Sequence, residues 1–214
     1  MLTVGIDIDG VLVECNSFAL LRWAEAEKGL YGAVERFLET NDWEKAFQLP
    51  STEVSRLYHE FEVSPAYPGT QPIAGARDGL QVLKSHGHSL CTLTARPLSI
   101  RERTLTLLEE SFGRNIFLSH HFQGVPTKRE LVQCTAVHVH IEDNHFQALS
   151  VADMTQVILF PGPLNVHLPR NEKCIHLEAS RHAHRDMPAH LWQGVWQSAW
   201  EEIPHLLADL VRDR

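Results

Sequence analysis

The chain has 214 residues, a formal net charge of −8 and a pI near 5.9, which suits one domain or one core with a small insertion. An acidic balance without any block of like charge argues against binding a nucleic-acid polymer or an anionic membrane, but allows a small anionic substrate drawn in by a local metal. No apolar stretch reaches spanning length, the N-terminus enters a strand with no basic leader, and Cys15, Cys91, Cys134 and Cys174 form no C-x-x-C pair, so a soluble cytoplasmic protein with reduced thiols is expected.

The first predicted strand, Val4 to Asp9, lies in Val4-Gly5-Ile6-Asp7-Ile8-Asp9-Gly10-Val11-Leu12. Side chains alternate along a strand, so Asp7 and Asp9 share a face while Val4, Ile6 and Ile8 supply apolar contact. Two carboxylates held that close repel, and each is costly to keep ionised in apolar surroundings. A divalent cation is the natural compensation. Gly10 lets the chain turn away and leaves both acids at the strand's carboxyl end, where open α/β sheets bind ligands. A lone D-x-D is also what an ordinary strand-to-loop turn looks like, so the pair needs support from the rest of the chain.

From about Asn16 to Tyr67 the pattern is helical: Phe18, Leu21, Arg22 and Glu25 fall on helical spacings, Val34, Phe37 and Leu38 follow, and Ser51-Thr52-Glu53-Val54 opens another helix. A β-helix-β crossover needs only ~30 residues. Residues 15–67 are therefore expected to form a small helical cap over the strand ends, with 1–14 and 68–214 as the core. The crossover helix is placed at Gly75 to Ser85, followed by a strand at Ser89 to Thr94, a helix at Leu98 to Ser111 and a short strand at Asn115 to Leu118. Next come a helix at Thr127 to Cys134, a buried strand at Ala136 to Ile141, a helix at Asn144 to Ala152 and a last clear strand at Thr155 to Phe160. Strands alternating with helices predict an α/β fold, a Rossmann-like parallel sheet with helices on both faces. In the tail, Trp192, Val195, Trp196, Ala199, Ile203, Leu206, Leu207 and Leu210 keep a helical period that packs on the core, with Pro204 interrupting or restarting the helix. A dimer interface is the other use for such a face, leaving monomer and homodimer both open.

Three more features fall on the carboxyl side of these elements. Thr94 ends its strand before Ala95-Arg96-Pro97, where a hydroxyl and backbone amides opening toward a helix can bind an anion; a threonine there is also an ordinary polar turn residue. Thr127 with Glu130 matches a capping box, which puts Lys128 at the first helical position. A cation there opposes the helix dipole, so an anion should lie nearby unless Lys128 is simply solvated. Last, Ile141-Glu142-Asp143-Asn144 places acids at a buried strand end, suited to an oxygen-rich Mg2+ site, although Asp143 or Asn144 capping the next helix is a competing account.

The order D-x-D-G-V, Thr94, Lys128, Glu142-Asp143 resembles the haloacid dehalogenase-like hydrolase superfamily over Val4 to Phe160. Within it, the chain is most similar to the 5'(3')-deoxyribonucleotidase-like branch, with Thr94-Ala95-Arg96-Pro97, Pro163-Leu164-Asn165 and Trp200-Glu201-Glu202-Ile203 as further points of likeness. Many members begin the fourth motif with two aspartates; here Glu142 takes the first place, so the metal is assigned to Asp143. The resemblance implies a Mg2+-dependent phosphatase in which Asp7 attacks phosphorus to form an aspartyl-phosphate and Asp9 acts as acid, then base. It further implies Mg2+ held by Asp7, the main-chain carbonyl of Asp9, and Asp143, with Thr94, the Ala95 amide and Lys128 binding phosphate. An acid at Asp9 separates the phosphatases from the superfamily's dehalogenases.

The substrate is then a small phosphomonoester, a nucleoside monophosphate if the aromatics of the cap region stack on a base. Phe18 and Trp43 are candidates for that contact, against the plainer role of core aromatics. Arg96 either reaches a second anionic group or pairs with a nearby acid. A sugar phosphate is the alternative substrate, and a receiver-like phosphoacceptor or a non-catalytic phosphate binder the alternatives of another class. Fourteen histidines raise a metal reading, but only His138 and His140 share a regular spacing, without a third ligand beside them, so satisfied or solvent-facing histidines are expected.

Overall fold

A computed structural model describes residues 1–14, 16–40, 42–67, 71–122, 127–184, 187 and 189–212; Cys15 lies outside them. The chain divides into two compact units, Met1–Glu14 with Pro72–Arg214, and Cys15–Gln71. In the larger unit, β1 (Thr3–Ile6), β2 (Ser89–Thr94), β3 (Ser119–Phe122), β4 (Val139–Glu142), β5 (Gln156–Leu159) and β6 (Cys174–His176) form one sheet in the order β3-β2-β1-β4-β5-β6. Every pairing is parallel, with Val4 opposite Leu90 on one side and Val139 on the other.

Both faces of this sheet are covered, and the residues alternate accordingly. Val4, Ile6, Leu90, Val139, Ile141, Ile158 and Phe160 pack with residues of α5 (Ala76–Ser85), α6 (Arg101–Phe112) and α9 (Ala189–Arg212). Cys91, Leu93, Val157 and Leu159 face the other way, with Leu131 and Val132 of α7 (Lys128–Thr135) and Ala148 and Val151 of α8 (His145–Val151). Adjacent residues thus feed opposite cores, the period-2 consequence of a pleated strand buried on both sides. On α9 the large side chains Trp192, Trp196, Trp200, Ile203 and Leu207 are buried, and Trp200 lies directly against Gly79 of α5, where a Cβ would collide with the indole. The tail therefore packs on the core, as its periodicity predicts.

Three expectations are corrected. The third strand is Ser119–Phe122 rather than Asn115–Leu118, because Ser119 to Phe122 supply the ladder partners of Cys91 to Thr94 while Ile116 turns into the core. A sixth strand, Cys174–His176, follows the one expected to be last; it is only three residues long and pairs on one side, too short to show an alternating pattern. Pro204 does not break α9, which runs through it, since buried residues on both flanks hold the helix where one backbone bond is lost.

The smaller unit is all helical: α1 (Asn16–Lys28), α2 (Ala33–Thr40), α3 (Trp43–Phe47) and α4 (Ser51–Val63). Leu20, Leu21, Phe37, Phe47, Leu57, Phe61 and Tyr67 are buried, and an ion pair of 2.7 Å joins Lys28 of α1 to Glu60 of α4. Among the described residues, no helix is long and apolar enough to cross a membrane.

Candidate active site

The strand order reverses between β1 and β4, and the loops that leave the carboxyl ends of these two strands part there. After β1 the backbone stays in the sheet for one more step, Asp7 N donating to Ile141 O at 3.0 Å, and then turns. Gly10 takes a left-handed φ of 81°, and a Cβ on it would collide with the Asp143 carboxylate. Glycine is required there twice, for its backbone and for the space that brings the fourth motif against the first.

Lys128 joins these motifs. Thr127 caps α7 in a complete capping box with Glu130, which places Lys128 at the helix start as expected. Its ammonium donates to Asp7 Oδ1 at 2.6 Å and Leu93 O at 2.7 Å, and lies 3.0 Å from Glu142 Oε2. Asp7 and Glu142 are the anions that a cation at a helix N-terminus calls for. With three acceptors around three protons, the Lys128 ammonium is fully engaged by the protein's own oxygens.

Glu142, whose part the sequence left undefined, is the most fully engaged acid of the site. Besides Lys128, it takes the Asn144 amide at 3.1 Å on Oε1 and the His140 ring at 3.1 Å on Oε2, while the other ring nitrogen of His140 lies 3.1 Å from Gly5 O. His140 is thus a buried histidine with both ring nitrogens engaged, whereas His138 is exposed and accepts from the Thr3 amide. Burial opposes charge on Glu142, but Lys128, then His140 and the Asn144 amide, outweigh it and hold the carboxyl down at about 2. Lys128, desolvated as it is, keeps its charge because Asp7 and Glu142 raise its pKa above the ordinary lysine value.

Asp7 and Asp143 are less well compensated. Burial first, then Glu142, raises Asp7 to about 7 against the pull of Lys128. Burial, with the charges of Glu142, Asp7 and Asp9, pushes Asp143 well above the usual carboxylate range. Asn144 proves to be the cap of α8, its side chain accepting from Phe146 N and Gln147 N, so Asp143 is not needed there. Among the described residues none donates a hydrogen bond to the Asp143 carboxylate, only 7 % exposed; its carbonyl is held instead, by Asn165 Nδ2 at 2.6 Å. Asn165 also reaches Phe160 O and accepts from Gly162 N, fastening the loop after β5 to the loop after β4.

Asp7, Glu142 and Asp143 each offer an oxygen within 4.8 Å of the others. When Asp7, Asp9, Glu142 and Asp143 are all ionised, Lys128 and Arg96 leave two negative charges in excess. A buried carboxylate without a donor, all-oxygen ligands and a surplus of two negative charges fit Mg2+. Glu142 already has its partners, so Asp7 and Asp143 are the side chains that could hold such an ion.

Asp9 and Arg96 meet in a bidentate pair, Nε to Oδ2 at 2.9 Å and Nη2 to Oδ1 at 2.8 Å. Of the two roles open to Arg96 in the sequence, the structure displays pairing with a nearby acid. Thr94 is fully buried, its hydroxyl accepting from Arg96 N at 3.1 Å, and Ala95 beside it is exposed at the carboxyl end of β2. Phe18 and Trp43 belong to the helical unit, where Trp43 is packed against Phe37 and Phe47, with ring centroids at 4.2 and 5.5 Å. Beside it, Leu20, Trp43, Val54, Ser55 and Tyr58 line a hollow of about 250 Å³.

Neither a family model nor a curated relative matches the sequence. Solved structures do. A haloacid dehalogenase-like hydrolase from Streptococcus pneumoniae matches at 16% identity and a TM-score of 0.57, over 74% of this chain and 84% of its own. CbbY from Rhodobacter sphaeroides, solved with phosphate, matches at 17% identity and 0.57, over 85% and 96%. A family IA HAD hydrolase from Entamoeba histolytica matches at 14% identity and 0.58, over 92% and 100%. At such identities the likeness is one of fold: the chain has the haloacid dehalogenase-like fold.

Proposed function

We propose that this protein is a Mg2+-dependent phosphatase of small phosphomonoesters, working through an aspartyl-phosphate on Asp7. The observation that carries the reading is the buried set Asp7, Lys128, Glu142 and Asp143, in which one carboxylate is gripped by an ammonium and another has no donor. Asp7 attacks phosphorus, the ester P–O bond breaks, and Asp9 supplies the proton taken up by the leaving oxygen. Water then attacks the phosphorus of the aspartyl-phosphate, Asp9 takes the proton, and inorganic phosphate leaves with Asp7 restored. The Thr94 hydroxyl and the Ala95 amide receive phosphoryl oxygens, while Lys128 fixes Asp7 and supplies positive charge. Asp7, the Asp9 carbonyl and Asp143 would hold Mg2+, which when bound offsets repulsion between the anionic nucleophile and the anionic ester.

The finer reading is a nucleoside monophosphate as substrate. It is supported by the aromatic residues of the helical unit, Trp43 and Tyr58 among them, a composition suited to stacking on a base. A sugar phosphate is the competing substrate, in keeping with the CbbY structure that holds xylulose-(1,5)bisphosphate. The test is hydrolysis of 4-nitrophenyl phosphate with Mg2+, after chelation and after Mg2+ return, followed by a panel of nucleotides and sugar phosphates. Full activity in chelator overturns the metal assignment. Sugar phosphates at ~10-fold higher kcat/KM, about 1.4 kcal/mol of transition-state preference, overturn the nucleotide reading.

A further inference from the structure

We infer that Arg96 is a positioning residue that aims the Asp9 side chain at the leaving group, an inference that rests on the phosphatase reading above. Arg96 is 3 % exposed and sits at the end of β2, where its own amide is tied to Thr94 Oγ1. Its guanidinium meets Asp9 with Nε and Nη2, and Nη1 donates to Thr104 Oγ1 of α6 at 3.2 Å. Thr104 is fully buried, so the fork is braced by a helix on one side and a strand end on the other.

The loop bearing Asp9 does not need this clamp to fold. Gly10 N donates to Val13 O, and the Leu12 and Val13 amides both donate to Ile8 O, so residues 8–13 are closed by backbone bonds alone. What Arg96 adds is the direction of one side chain. Asp9 has no other side-chain partner among the described residues, and its side chain keeps 22% of its surface exposed. The fork takes one lone pair of each Asp9 oxygen and leaves the outward lone pair to carry the proton. Without the fork the side chain rotates between staggered wells, and a proton donor misaimed by an ångström loses much of its effect. Lysine offers a point charge and cannot reproduce a planar two-point grip.

The experiment compares wild type with Arg96→Lys and Thr104→Val on an aryl phosphate and an alkyl phosphate in Mg2+, by rapid quench. A phenoxide departs with little help, whereas an alkoxide needs its proton. General acid catalysis is worth ~10²–10⁴-fold, so Arg96→Lys should slow phosphoenzyme formation from the alkyl ester at least ~10-fold more than from the aryl ester, with KM changed less than ~2-fold. Thr104→Val keeps the ion pair but removes its brace and should move the ratio the same way by less. An equal loss on both esters, or a loss confined to KM, overturns the inference. A second readout needs no turnover: in wild type the Arg96 Nε proton should appear downfield in the NMR spectrum, coupled to the Asp9 carboxyl carbon. Its absence overturns the clamp even if every ester is hydrolysed. Its presence in a protein that hydrolyses no phosphomonoester retires the phosphatase reading and, with it, the role given to Arg96.

Discussion

Replacing Lys128 by methionine tests the electrostatic account of the site most directly. The ammonium lies 2.6 Å from Asp7 and 3.0 Å from Glu142, with all three side chains buried. At an effective dielectric of ~20, each contact carries a gross attraction of roughly 6 kcal/mol, most of it offset by desolvation of the ions. The net cost of removing one partner from such a cluster is about 3–5 kcal/mol, because the other charges remain buried without it. With a urea m-value of about 2 kcal/mol/M, the midpoint should fall by roughly 1.5–2.5 M. Asp7, already raised to about 7 with Lys128 present, goes higher without it. A carboxyl whose folded-state pKa exceeds its unfolded value costs stability as pH climbs through that range, so the deficit should be smaller at about pH 5 than at about pH 8. Adding Glu142→Gln to Lys128→Met removes one orphaned charge and should recover part of the loss, by ~0.5–3 kcal/mol of coupling. Urea melts at both pH values decide the matter. A single-variant cost under ~1 kcal/mol, or a double variant that loses the sum of the two singles, refutes the reasoning.

Three further outcomes are expected. Gly10→Ala forces a Cβ into the left-handed region and onto Asp143, so it should lower stability by at least ~1–2 kcal/mol and abolish Mg2+-dependent turnover, read by thermal melts and aryl phosphatase assay. Asn165→Ala removes one side chain from three hydrogen bonds and strands buried carbonyls, for a loss of ~1–3 kcal/mol in chemical denaturation. Burial lowers the pKa of His88, whose Nδ1 accepts from the Leu2 amide; stability held above the unfolded value near 6.5 should therefore drain away as pH falls below it, with a smaller hydrogen-exchange protection factor at Leu2. A constant protection factor at Leu2 between about pH 7 and pH 5 would contradict this.

The positions of the candidate residues were more legible than their contacts. Asp7, Asp9, Thr94, Lys128 and Asp143 announce themselves because each stands where an apolar strand ends or a helix begins, and period and capping locate such ends. Lys128 even predicted its own partners, since a cation at a helix start needs anions. What the sequence did not show is which acid answers which cation. Glu142 and Asp143 are adjacent, yet one is saturated by Lys128, His140 and an amide while the other has no donor, a difference set by side-chain direction at the end of β4. Arg96 and Asp9 are 87 residues apart and Thr104 lies on a third element, so their meeting depends on strand order, which no local pattern encodes. Asn165 left a trace in the Pro163-Leu164-Asn165 run. β6 was missed for the same reason that short edge strands usually are, with three residues holding too little period to read.

The indole of Trp200 donates to the carbonyl of Val11 at 3.1 Å, a bond spanning 189 residues, and that of Trp196 donates to Pro161 O at 3.0 Å. During synthesis the loop that carries Asp9 leaves the ribosome 189 residues ahead of the indole that pins it. At ~5–20 residues per second, the interval between the two is on the order of ten to forty seconds. For that time β1 lacks α9, and until β4 is made it also lacks a neighbour on that side, so its apolar side chains and that strand edge are open to other chains. The core around β1 thus closes only when α9 docks, and cutting the chain before Trp196 should leave a product prone to associate.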